Sequence, residues 1–533
     1  MKKTTALFVG ILIIAIFFRF YNLGKIPVSM SDDEIRESMS AYSFITSGKD
    51  LYGMPFPLSF NLDGFVFAPI TTYIVGLFIG FFGLTMWGAR VGYAVAGVIS
   101  VIGVYLLSYQ LFKNKYISLL SMFGVAVSVW AINTSRFAHE GIFSLMFMTY
   151  ATYFLLRVGK RDYKILTASF VLFFCAFYSY AAIKIDVLPA IFVITLVRWR
   201  QWSGKQLLAI AAFIIFLFGS FFILSRTQNA AQYGAYQFFF MDRTTIAKEV
   251  ELQRRDSYAP SALKALFHNK FTYMASVAIN NYLYAFSFQY LFLSQEASGI
   301  YSMWDRGQMY LVELPLLLFG IITAFVKYRK QFMILLPLLL ISPLPSVIGT
   351  MPTSYTMRSI YMIPFLYILV GVGLYSIIKS IKLTNYKFLF VVFLAVIYIY
   401  SVGRYFVQYN YDWKIRNASY FAKSTQDILE FIDVNKSSYD KVLFVNTPKN
   451  TFLHYAFIHK LPIVKIQEVM NSKDTKYQNI DFIEYCLGGN DANPPQLSEK
   501  NSLYIAPINC HKKTKKKVVL RNMTGKDEVY GIY

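Results

Sequence analysis

Long apolar runs alternate with short polar segments over the first 400 residues of the chain. Eleven of these runs are long enough to span a bilayer as helices. They lie at about 5–21, 88–111, 117–134, 142–156, 165–180, 185–198, 206–224, 309–326, 332–348, 359–378 and 388–403. Beyond about residue 404 the pattern becomes that of a soluble domain. We therefore predict a mainly α, polytopic membrane module at 1–403 and a small α/β domain at 404–533.

A twelfth apolar run, at 68–82, is shorter and is interrupted by a proline and glycines. If this run does not cross the membrane, the lysine- and arginine-rich segments between the spans all fall on one side. Cytoplasmic loops carry the excess of these residues. We therefore expect the run to be re-entrant or interfacial, the N-terminus to be cytoplasmic and the C-terminal domain to be extracytoplasmic. The external loops are then 21–87, the first loop, and 225–308, the large loop.

The C-terminal region contains patterns typical of a small α/β domain. Residues 441–447 form an apolar run that ends in a polar turn, which predicts a buried strand. An amphipathic helix is predicted over 422–434, and a terminal β-hairpin over 518–521 and 528–533. Cys486 and Cys510 both lie in this region, and an oxidising external compartment would allow them to form a disulfide.

Composition supports a multispan membrane protein. Of the 533 residues, 56% are hydrophobic and only 15% are charged, whereas soluble domains carry about 25% charged residues. The net charge of +23 comes largely from cations between apolar runs, so we predict no binding of nucleic acid. No cluster of Cys and His has the spacing of metal ligands. We therefore predict no cofactor, and leave a divalent cation open.

The first external loop begins a helix with a cluster of acids. Ser31 and Glu34 have the spacing of a capping box, so the helix should start at Ser31. Asp32, Asp33 and Glu34 occupy its first turn. Acids at a helix N-terminus can simply favour its dipole, but charges at a hydrocarbon boundary are more often functional. The helix is too short to span, so we expect it to lie in the interface. Its apolar stripe consists of Ile35, Met39, Tyr42 and Ile45.

Several cations lie on the same external side, although the positive-inside rule gives no reason for cations there. Arg136, His139 and Glu140 follow the third span, and helical spacing would place Arg136 on one face with each of the other two. Lys184 and Arg358 lie in later external loops. Acids can supply a general base, and nearby cations can neutralise a phosphate leaving group. The alternative for each cation is a side chain that only snorkels to the interface.

These features together resemble a known family. Asp33-Glu34 after the first span, the segment Gly48 to Pro57, Ser135-Arg136 with its following acid, and the eleven-span layout resemble the C-type (GT-C fold) glycosyltransferases. More narrowly, they resemble the bacterial protein O-mannosyltransferase and aminoarabinose transferase superfamily, over roughly residues 5–400.

The resemblance implies a donor and a set of catalytic residues. The donor would be a polyprenyl-phosphate-linked sugar. Asp33 and Glu34, with Asp32 beside them, would carry the catalytic base. Basic residues would hold the donor phosphate, and by position these are Arg136, Lys184 and Arg358. His139 and Glu140 would support them.

The sequence departs from the family pattern at the start of the twelfth apolar run. Family members often have a Lys-Pro-Pro-Leu-Tyr run there, whereas this chain reads Phe67-Ala68-Pro69 followed by Ile70 to Tyr73. The lysine expected near the lipid phosphate is therefore missing. Either Lys184 or Arg358 takes over its charge, or activity is impaired.

The expected function is that of an integral-membrane glycosyltransferase working at the extracytoplasmic face of the cell membrane. It would transfer a hexosyl or pentosyl group from a polyprenyl-phosphate donor to a hydroxyl of a lipid, glycan or protein. A transporter or lipid flippase is an alternative, but it would need polar residues along several spans, and these spans are almost free of charge. A catalytically inactive membrane scaffold is the other alternative, because of the missing lysine.

Overall fold

The computed structural model describes residues 2–62, 65–226, 243–294, 296, 298–301, 303, 305–347, 355–486, 501–510, 518–523, 525 and 528–532. Over these residues the protein is mostly helical, with a small sheet near its C-terminus. Because apolar helices satisfy their own backbone hydrogen bonds, this is the structure that long apolar runs adopt in a membrane.

Ten helices and one short hairpin occupy the first 226 residues. The hairpin pairs β1 (Phe60–Leu62) with β2 (Phe65–Phe67) in antiparallel fashion. The helices are α1 (Lys2–Phe20), α2 (Asp32–Ser47), α3 (Pro69–Phe82), α4 (Met86–Phe112), α5 (Lys115–Val127), α6 (Val129–Asn133), α7 (Gly141–Arg157), α8 (Tyr163–Phe177), α9 (Lys184–Val197) and α10 (Gly204–Arg226).

The next helices include three from the large loop and the last apolar ones. They are α11 (Arg243–Asp256), α12 (Ser261–Phe267), α13 (Lys270–Ala285), α14 (Glu313–Lys327), α15 (Arg329–Ile341), α16 (Tyr355–Arg358), α17 (Met362–Ser380), α18 (Thr384–Val407) and α19 (Lys414–Arg416). A π-helical turn over Gln408–Trp413 joins α18 to α19. The predicted boundary at residues 403/404 therefore falls inside a continuous helix.

Each of the eleven predicted spans is helical over most of its length, although the span at 117–134 is divided between α5 and α6 and the span at 332–348 extends beyond the end of α15 at Ile341. Among the described residues, six helical stretches are long and apolar enough to cross a membrane. The chain is therefore a multi-pass membrane protein, and the count of eleven crossings stays a prediction. The run at 68–82 forms the 14-residue helix α3, which is short for a crossing, since about 20 residues are needed.

The C-terminal region forms an α/β domain, as the sequence predicts. Its helices are α20 (Lys423–Asn435), α21 (Pro448–His459) and α22 (Ile463–Asn471). Its sheet has the strand order β4-β5-β3-β6-β8-β7. The strands are β3 (Lys441–Val445), β4 (Thr475–Tyr477), β5 (Ile480–Ile483), β6 (Ser502–Pro507), β7 (Val518–Arg521) and β8 (Glu528–Ile532).

The sheet contains the buried strand and the terminal hairpin that the sequence predicts. The central strand β3 is parallel to both β5 and β6, and its core side chains are buried. The predicted terminal hairpin forms from β7 and β8, with Arg521 opposite Glu528. A disulfide joins Cys486 to Cys510, in agreement with the sequence-based hypothesis.

Helix α2 does not lie at a surface. It packs against α3 on one side and against α21 and α22 of the C-terminal domain on another. Most of its residues, polar ones included, are buried. Ile35 and Met39 of the predicted apolar stripe are buried, but several polar residues of the helix are buried as well, and the position of the helix at the membrane interface stays a prediction. The C-terminal domain covers this helix, and the sequence pattern of α2 alone could not show that cover.

Candidate active site

The first turn of α2 is fixed by the predicted capping box. The Ser31 hydroxyl accepts a hydrogen bond from the Glu34 backbone N–H, and the Glu34 carboxylate accepts one from the Ser31 N–H at 3.0 Å. This exchange satisfies two N–H groups that a helix start leaves without partners. It therefore determines the direction in which Asp32 and Asp33 leave the helix.

Glu34 is fully buried and paired with Arg90 of α4. The guanidinium contacts both carboxylate oxygens, at 2.9 Å from Nε and 3.1 Å from Nη2. The backbone N–H of Ala138 donates a further hydrogen bond to Glu34 at 2.8 Å. With its oxygens occupied in this way, Glu34 is a structural residue. The prediction that it shares the role of catalytic base does not fit this geometry.

Arg90 was missed by the sequence reasoning. Besides Glu34, it donates hydrogen bonds to the backbone carbonyls of Leu23, Pro27 and Ser29, at 3.4, 2.9 and 2.6 Å respectively. It thereby holds the segment between α1 and α2 against α4. A signal was available, because Arg90 is a cation near the external end of a predicted span.

Arg136 has a similar anchoring position. It is buried, and its terminal nitrogens donate to the carbonyls of Phe18 and Tyr21 at 2.7 Å each. Its guanidinium also lies over the ring of Tyr409, 4.9 Å from the centroid. Cations near a helix C-terminus stabilise its unpaired carbonyls. The structure thus places Arg136 at the end of α1, and the prediction that it binds the donor phosphate does not fit.

Asp33 faces a different environment from its neighbour Glu34. About half of its side-chain surface is accessible, and its carboxylate lies 3.3 Å from Arg36 Nη1. The surrounding protein nevertheless removes much of its hydration. This burial raises the pKa of Asp33, although Arg36 acts in the opposite direction. An accessible carboxylate with a raised pKa in a cleft is the usual environment of a general base.

Asp32 points toward the C-terminal domain instead. Its Oδ1 lies 3.3 Å from His454 Nε2 of α21. Burial raises the pKa of Asp32. The hydrogen bond and charge of His454, with smaller contributions from Asn450 and Arg36, lower it by more, so the net shift is downward. The three adjacent acids of the sequence therefore have three separate surroundings.

A cluster of aromatic side chains lies near Asp33. The ring of Tyr301 lies 5.5 Å from that of His139 and 5.7 Å from that of Phe137, and His139 lies 5.2 Å from Tyr180. Burial lowers the pKa of His139 to about 3. Its imidazole is therefore neutral at physiological pH and cannot neutralise a phosphate. His139 accepts a hydrogen bond at Nδ1 from the Gly141 N–H, which fits a supporting role.

Tyr301 connects the acid to a cation. Burial raises its pKa well above the ordinary value, and the negative charge of Asp33 adds to this effect, while Arg358 acts in the opposite direction. Arg358 also interacts electrostatically with Tyr180. Asp33 and Arg358 thus act on the same tyrosine from elements more than 300 residues apart in the sequence. No pattern in the sequence distinguished Tyr301 from the other 40 tyrosines.

Glu140 and Lys184 form a second acid and cation near the site. Glu140 accepts a 2.6 Å hydrogen bond from the Ala68 N–H and so caps the start of α3. Burial and the nearby charge of Glu37 raise its pKa, whereas Lys184 lowers it. Asp33 is a further charge acting on Glu140. The buried Lys184 lies over the rings of Phe177 and Phe221, at 5.5 and 6.0 Å.

Glu37, one turn beyond Asp33 on α2, is a buried acid that the sequence reasoning did not single out. Its Oε1 accepts no hydrogen bond from the described residues. Burial raises its pKa to about 8, with smaller contributions from the charges of Asp33 and Glu34. Glu37 is therefore largely protonated at neutral pH, and so does not compete with Asp33 for the nearby cations.

The structure thus sorts the predicted site residues into two groups. Asp33, His139, Glu140 and Arg358 lie around Tyr180 and Tyr301, and Lys184 acts on Glu140. Glu34, Asp32 and Arg136 are engaged elsewhere. Within the described ranges, no group of three or more His, Cys, Asp or Glu side chains is placed to hold a metal ion. The arrangement can accept a proton at Asp33 and can stabilise a developing anion through Lys184 and Arg358.

Two comparisons bear on the identity of this fold. Residues 67–223 match the family described as dolichyl-phosphate-mannose-protein mannosyltransferase. The structure of ArnT from Cupriavidus metallidurans, solved bound to undecaprenyl phosphate and also in the apo state, is similar along the whole chain. In both states the TM-score is 0.55 at 12% identity, covering 99% of this chain and 98% of ArnT.

A more distant similarity links the chain to a larger enzyme. The archaeal oligosaccharyltransferase AglB from Archaeoglobus fulgidus, in complex with an inhibitory peptide and a dolichol-phosphate, aligns with a TM-score of 0.49 at 14% identity. The alignment covers 86% of this chain and 60% of AglB, so the chain spans about three fifths of the length of AglB. No curated protein sequence matches the chain significantly.

The ArnT comparison extends along both chains, through the membrane module and the C-terminal domain. The family match adds the segment from β2 to α10, which contains Arg136, Glu140 and Lys184. The protein therefore has the C-type glycosyltransferase fold, and its resemblance to the protein mannosyltransferase and aminoarabinose transferase superfamily is confirmed.

Proposed function

We propose that this protein is a membrane glycosyltransferase that transfers a sugar from a polyprenyl-phosphate donor to a hydroxyl of a lipid, glycan or protein acceptor. One observation carries the proposal. In a C-type glycosyltransferase fold, an accessible carboxylate with a raised pKa, Asp33, acts on Tyr301 together with the cation Arg358, and on Glu140 together with the cation Lys184. This combination supplies a base and a binding site for a phosphate leaving group.

The reaction assigns a role to each of these groups. The acceptor hydroxyl oxygen attacks the anomeric carbon of the sugar, and the bond between that carbon and the phosphate oxygen breaks. Asp33 takes the hydroxyl proton as the new glycosidic bond forms. The polyprenyl phosphate leaves with the bonding electrons, and its increased negative charge is stabilised by Arg358 and Lys184.

The two cations suit different parts of this task. Arginine binds phosphate through two parallel hydrogen bonds and keeps its charge at any relevant pH. Burial lowers the pKa of Lys184 to about 7, while the charge of Glu140 acts in the opposite direction. Lys184 is therefore only partly protonated at neutral pH, and an anionic donor phosphate would favour its charged form. These two cations also account for the absence of a lysine before Pro69, which the family pattern would place near the lipid phosphate.

The direct test uses the purified full-length chain in lipid nanodiscs. It is incubated with polyprenyl-phosphate sugars and a mixture of envelope lipids and glycans, and the release of free polyprenyl phosphate is followed. Release with transfer of the sugar supports the proposal. Movement of the donor across the bilayer of a proteoliposome without cleavage would support a transporter instead and would contradict it.

The proposal also requires the site to face the extracytoplasmic side. A cysteine introduced at Asn114, in the turn between α4 and α5, should resist an impermeant thiol reagent in intact cells. A cysteine at Lys436, in the C-terminal domain, should react. The opposite labelling would place Asp33, together with the C-terminal domain that covers α2, on the cytoplasmic side.

A further inference from the structure

A small polar cavity lies between α2 and the C-terminal domain, next to the proposed site but separate from its cations. Its volume is about 160 Å³. Ligand pockets usually occupy about 300–1,000 Å³, so this cavity fits one small unit rather than a lipid. Asp32 of α2 lines it, and the other lining residues come from the region between Ser419 and Tyr530.

The lining residues form an ordered hydrogen-bonding wall. Asn446 donates from Nδ2 to the Tyr530 hydroxyl at 3.0 Å and lies 3.4 Å from the Thr425 hydroxyl. On the opposite side, His454 Nε2 lies 3.3 Å from Asp32 Oδ1.

Asn450 lines the same cavity. Its side chain is 5% exposed, and its Oδ1 has no hydrogen-bond partner among the described residues. A buried polar atom without a partner is unfavourable, and it indicates a place where a polar ligand or water would be bound.

The chemistry of this cavity selects against phosphate. No lysine or arginine is present among the residues that line it, and the carboxylate of Asp32 would repel an anion. Carboxylate, amide and hydroxyl groups can instead pair with the neighbouring hydroxyls of a sugar, as both donors and acceptors. Tyr420, which also lines the cavity, offers an aromatic face for the apolar side of a sugar ring.

We propose that this cavity is a subsite for one uncharged sugar unit of a glycan-bearing acceptor. The inference rests on the proposed function, because it assigns the acceptor class of the same site. Asp32 binds the sugar, and the adjacent residue on α2, Asp33, faces the donor. A glycan held at Asp32 would therefore present a hydroxyl close to the base. The C-terminal domain would serve to recognise the acceptor.

The test measures sugar binding without any donor. Full-length protein in nanodiscs is mixed with a panel of neutral methyl glycosides, namely glucoside, galactoside, mannoside and N-acetylglucosaminide. Saturation transfer to each sugar is then recorded by ligand-observed NMR. We expect at least one glycoside to bind the wild type. Its signal should fall at least fivefold in both Asn446→Ala and Asn450→Ala.

A matched variant controls for changes in folding. Asn435→Ala removes an asparagine of the same domain whose side chain donates to Phe431 O of its own helix, and it should bind like the wild type. Formation of the Cys486–Cys510 disulfide, measured by intact mass under non-reducing conditions, reports whether the domain of each variant has folded.

Two outcomes would overturn the subsite. One is that no glycoside shows saturation transfer to the wild type. The other is that both folded cavity variants bind as well as Asn435→Ala does. Failure of the subsite can be distinguished from failure of the proposed function. The first appears as a loss of sugar binding in this assay, and the second as an absence of polyprenyl phosphate release in the separate assay.

Discussion

Two sets of cations on the same side of the molecule have opposite surroundings. In what we call the anchoring region, Arg90 and Arg136 donate to backbone carbonyls at the start of the first external loop, and Arg90 also pairs with Glu34. In the cleft region, Lys184 and Arg358 act on Glu140 and on the tyrosines beside Asp33. The hydrogen bonds of Arg90 and Arg136 to backbone carbonyls indicate a structural role for these two cations, whereas the functional role of Lys184 and Arg358 is our proposal.

The same contrast holds within one helical turn. Glu34 in the anchoring region accepts four hydrogen bonds, from Ser31, Arg90 and Ala138. Among the described residues, the Asp33 carboxylate accepts a side-chain hydrogen bond only from Arg36, and this pair is partly exposed. A carboxylate whose oxygens are all occupied cannot accept a proton from substrate without losing those bonds. The anchoring region therefore positions the helix, and we propose that the neighbouring acid, Asp33, accepts the proton.

The largest expected effect comes from breaking the anchoring region. Arg90→Ala leaves the buried Glu34 charge without its partner, and breaking a buried ion pair in this way costs about 3–5 kcal/mol. We expect little folded protein, and a sharply lower melting temperature for any that is recovered. Fluorescence-detected size exclusion and thermal unfolding in detergent measure both.

Arg255→Ala is the matched control for this prediction. Arg255 forms an exposed ion pair with Asp256 in α11, and exposed pairs contribute about 0–1 kcal/mol. It should fold like the wild type. Normal yield and stability of Arg90→Ala would show that the anchoring role of this arginine is misassigned.

The next effect concerns the base in the cleft. Asp33→Asn keeps the shape of the side chain but cannot accept a proton, so we expect turnover to fall by about 10²–10⁴-fold with folding intact. The pKa of Asp33 is raised above the ordinary value of 3.8. Wild-type turnover should therefore increase with pH as Asp33 loses its proton. The midpoint of this increase should lie above pH 3.8.

The control for the base is Asp427→Asn, which removes a carboxylate paired with Lys423 in the C-terminal domain. This variant should keep wild-type turnover and the wild-type pH profile. Near-normal activity of Asp33→Asn would instead assign proton transfer to another group.

A paired comparison of arginines follows. Arg358→Ala removes a group proposed to stabilise the leaving phosphate, and loss of one such group typically lowers turnover by about 10²–10³-fold. Arg358→Lys should recover part of this loss, because lysine keeps the charge but not the planar fork.

Arg136→Ala is the partner in that comparison. It loses hydrogen bonds from a charged donor, worth about 1.5–3 kcal/mol each, so its melting temperature should fall while turnover per folded molecule stays close to wild type. This replaces the sequence-based expectation for Arg136. A loss of turnover by Arg136→Ala at unchanged stability would contradict the division of the two regions.

The smallest effect is a pH dependence of stability. The pKa of Glu37 is about 8 in the folded protein against an ordinary value of 4.5. Between these two values the folded state keeps a proton that the unfolded state has lost, so stability decreases as the pH rises. Glu37→Gln mimics the protonated form and should make the decrease in melting temperature over this range shallower.

Glu430→Gln, which changes an exposed glutamate of α20, is the control for this pH dependence. Its melting temperature should follow the wild-type pH profile. If Glu37→Gln shows the wild-type slope as well, Glu37 is already ionised in the folded protein.

Much of the architecture was predictable because it depends on local patterns. The capping box at Ser31 and Glu34, the apolar helices, the strand at 441–445 and the terminal hairpin each follow from residues close together in the sequence. Hydrophobic periodicity and capping act over one or two turns, and the sequence states them directly. The side of the membrane expected for the charged residues likewise came from short polar runs.

The roles of the charged residues were decided by contacts between distant segments. Arg136 meets carbonyls 115 and 118 residues away, and Asp32 meets His454 across 422 residues. The sequence placed three acids and three cations together on one side of the membrane, but hydrogen bonding depends on distances of about 3 Å. The ion pair between Glu34 of α2 and Arg90 of α4, and the packing of α2 against the C-terminal domain, set such distances. Only the tertiary structure therefore separates the anchoring residues from the proposed site.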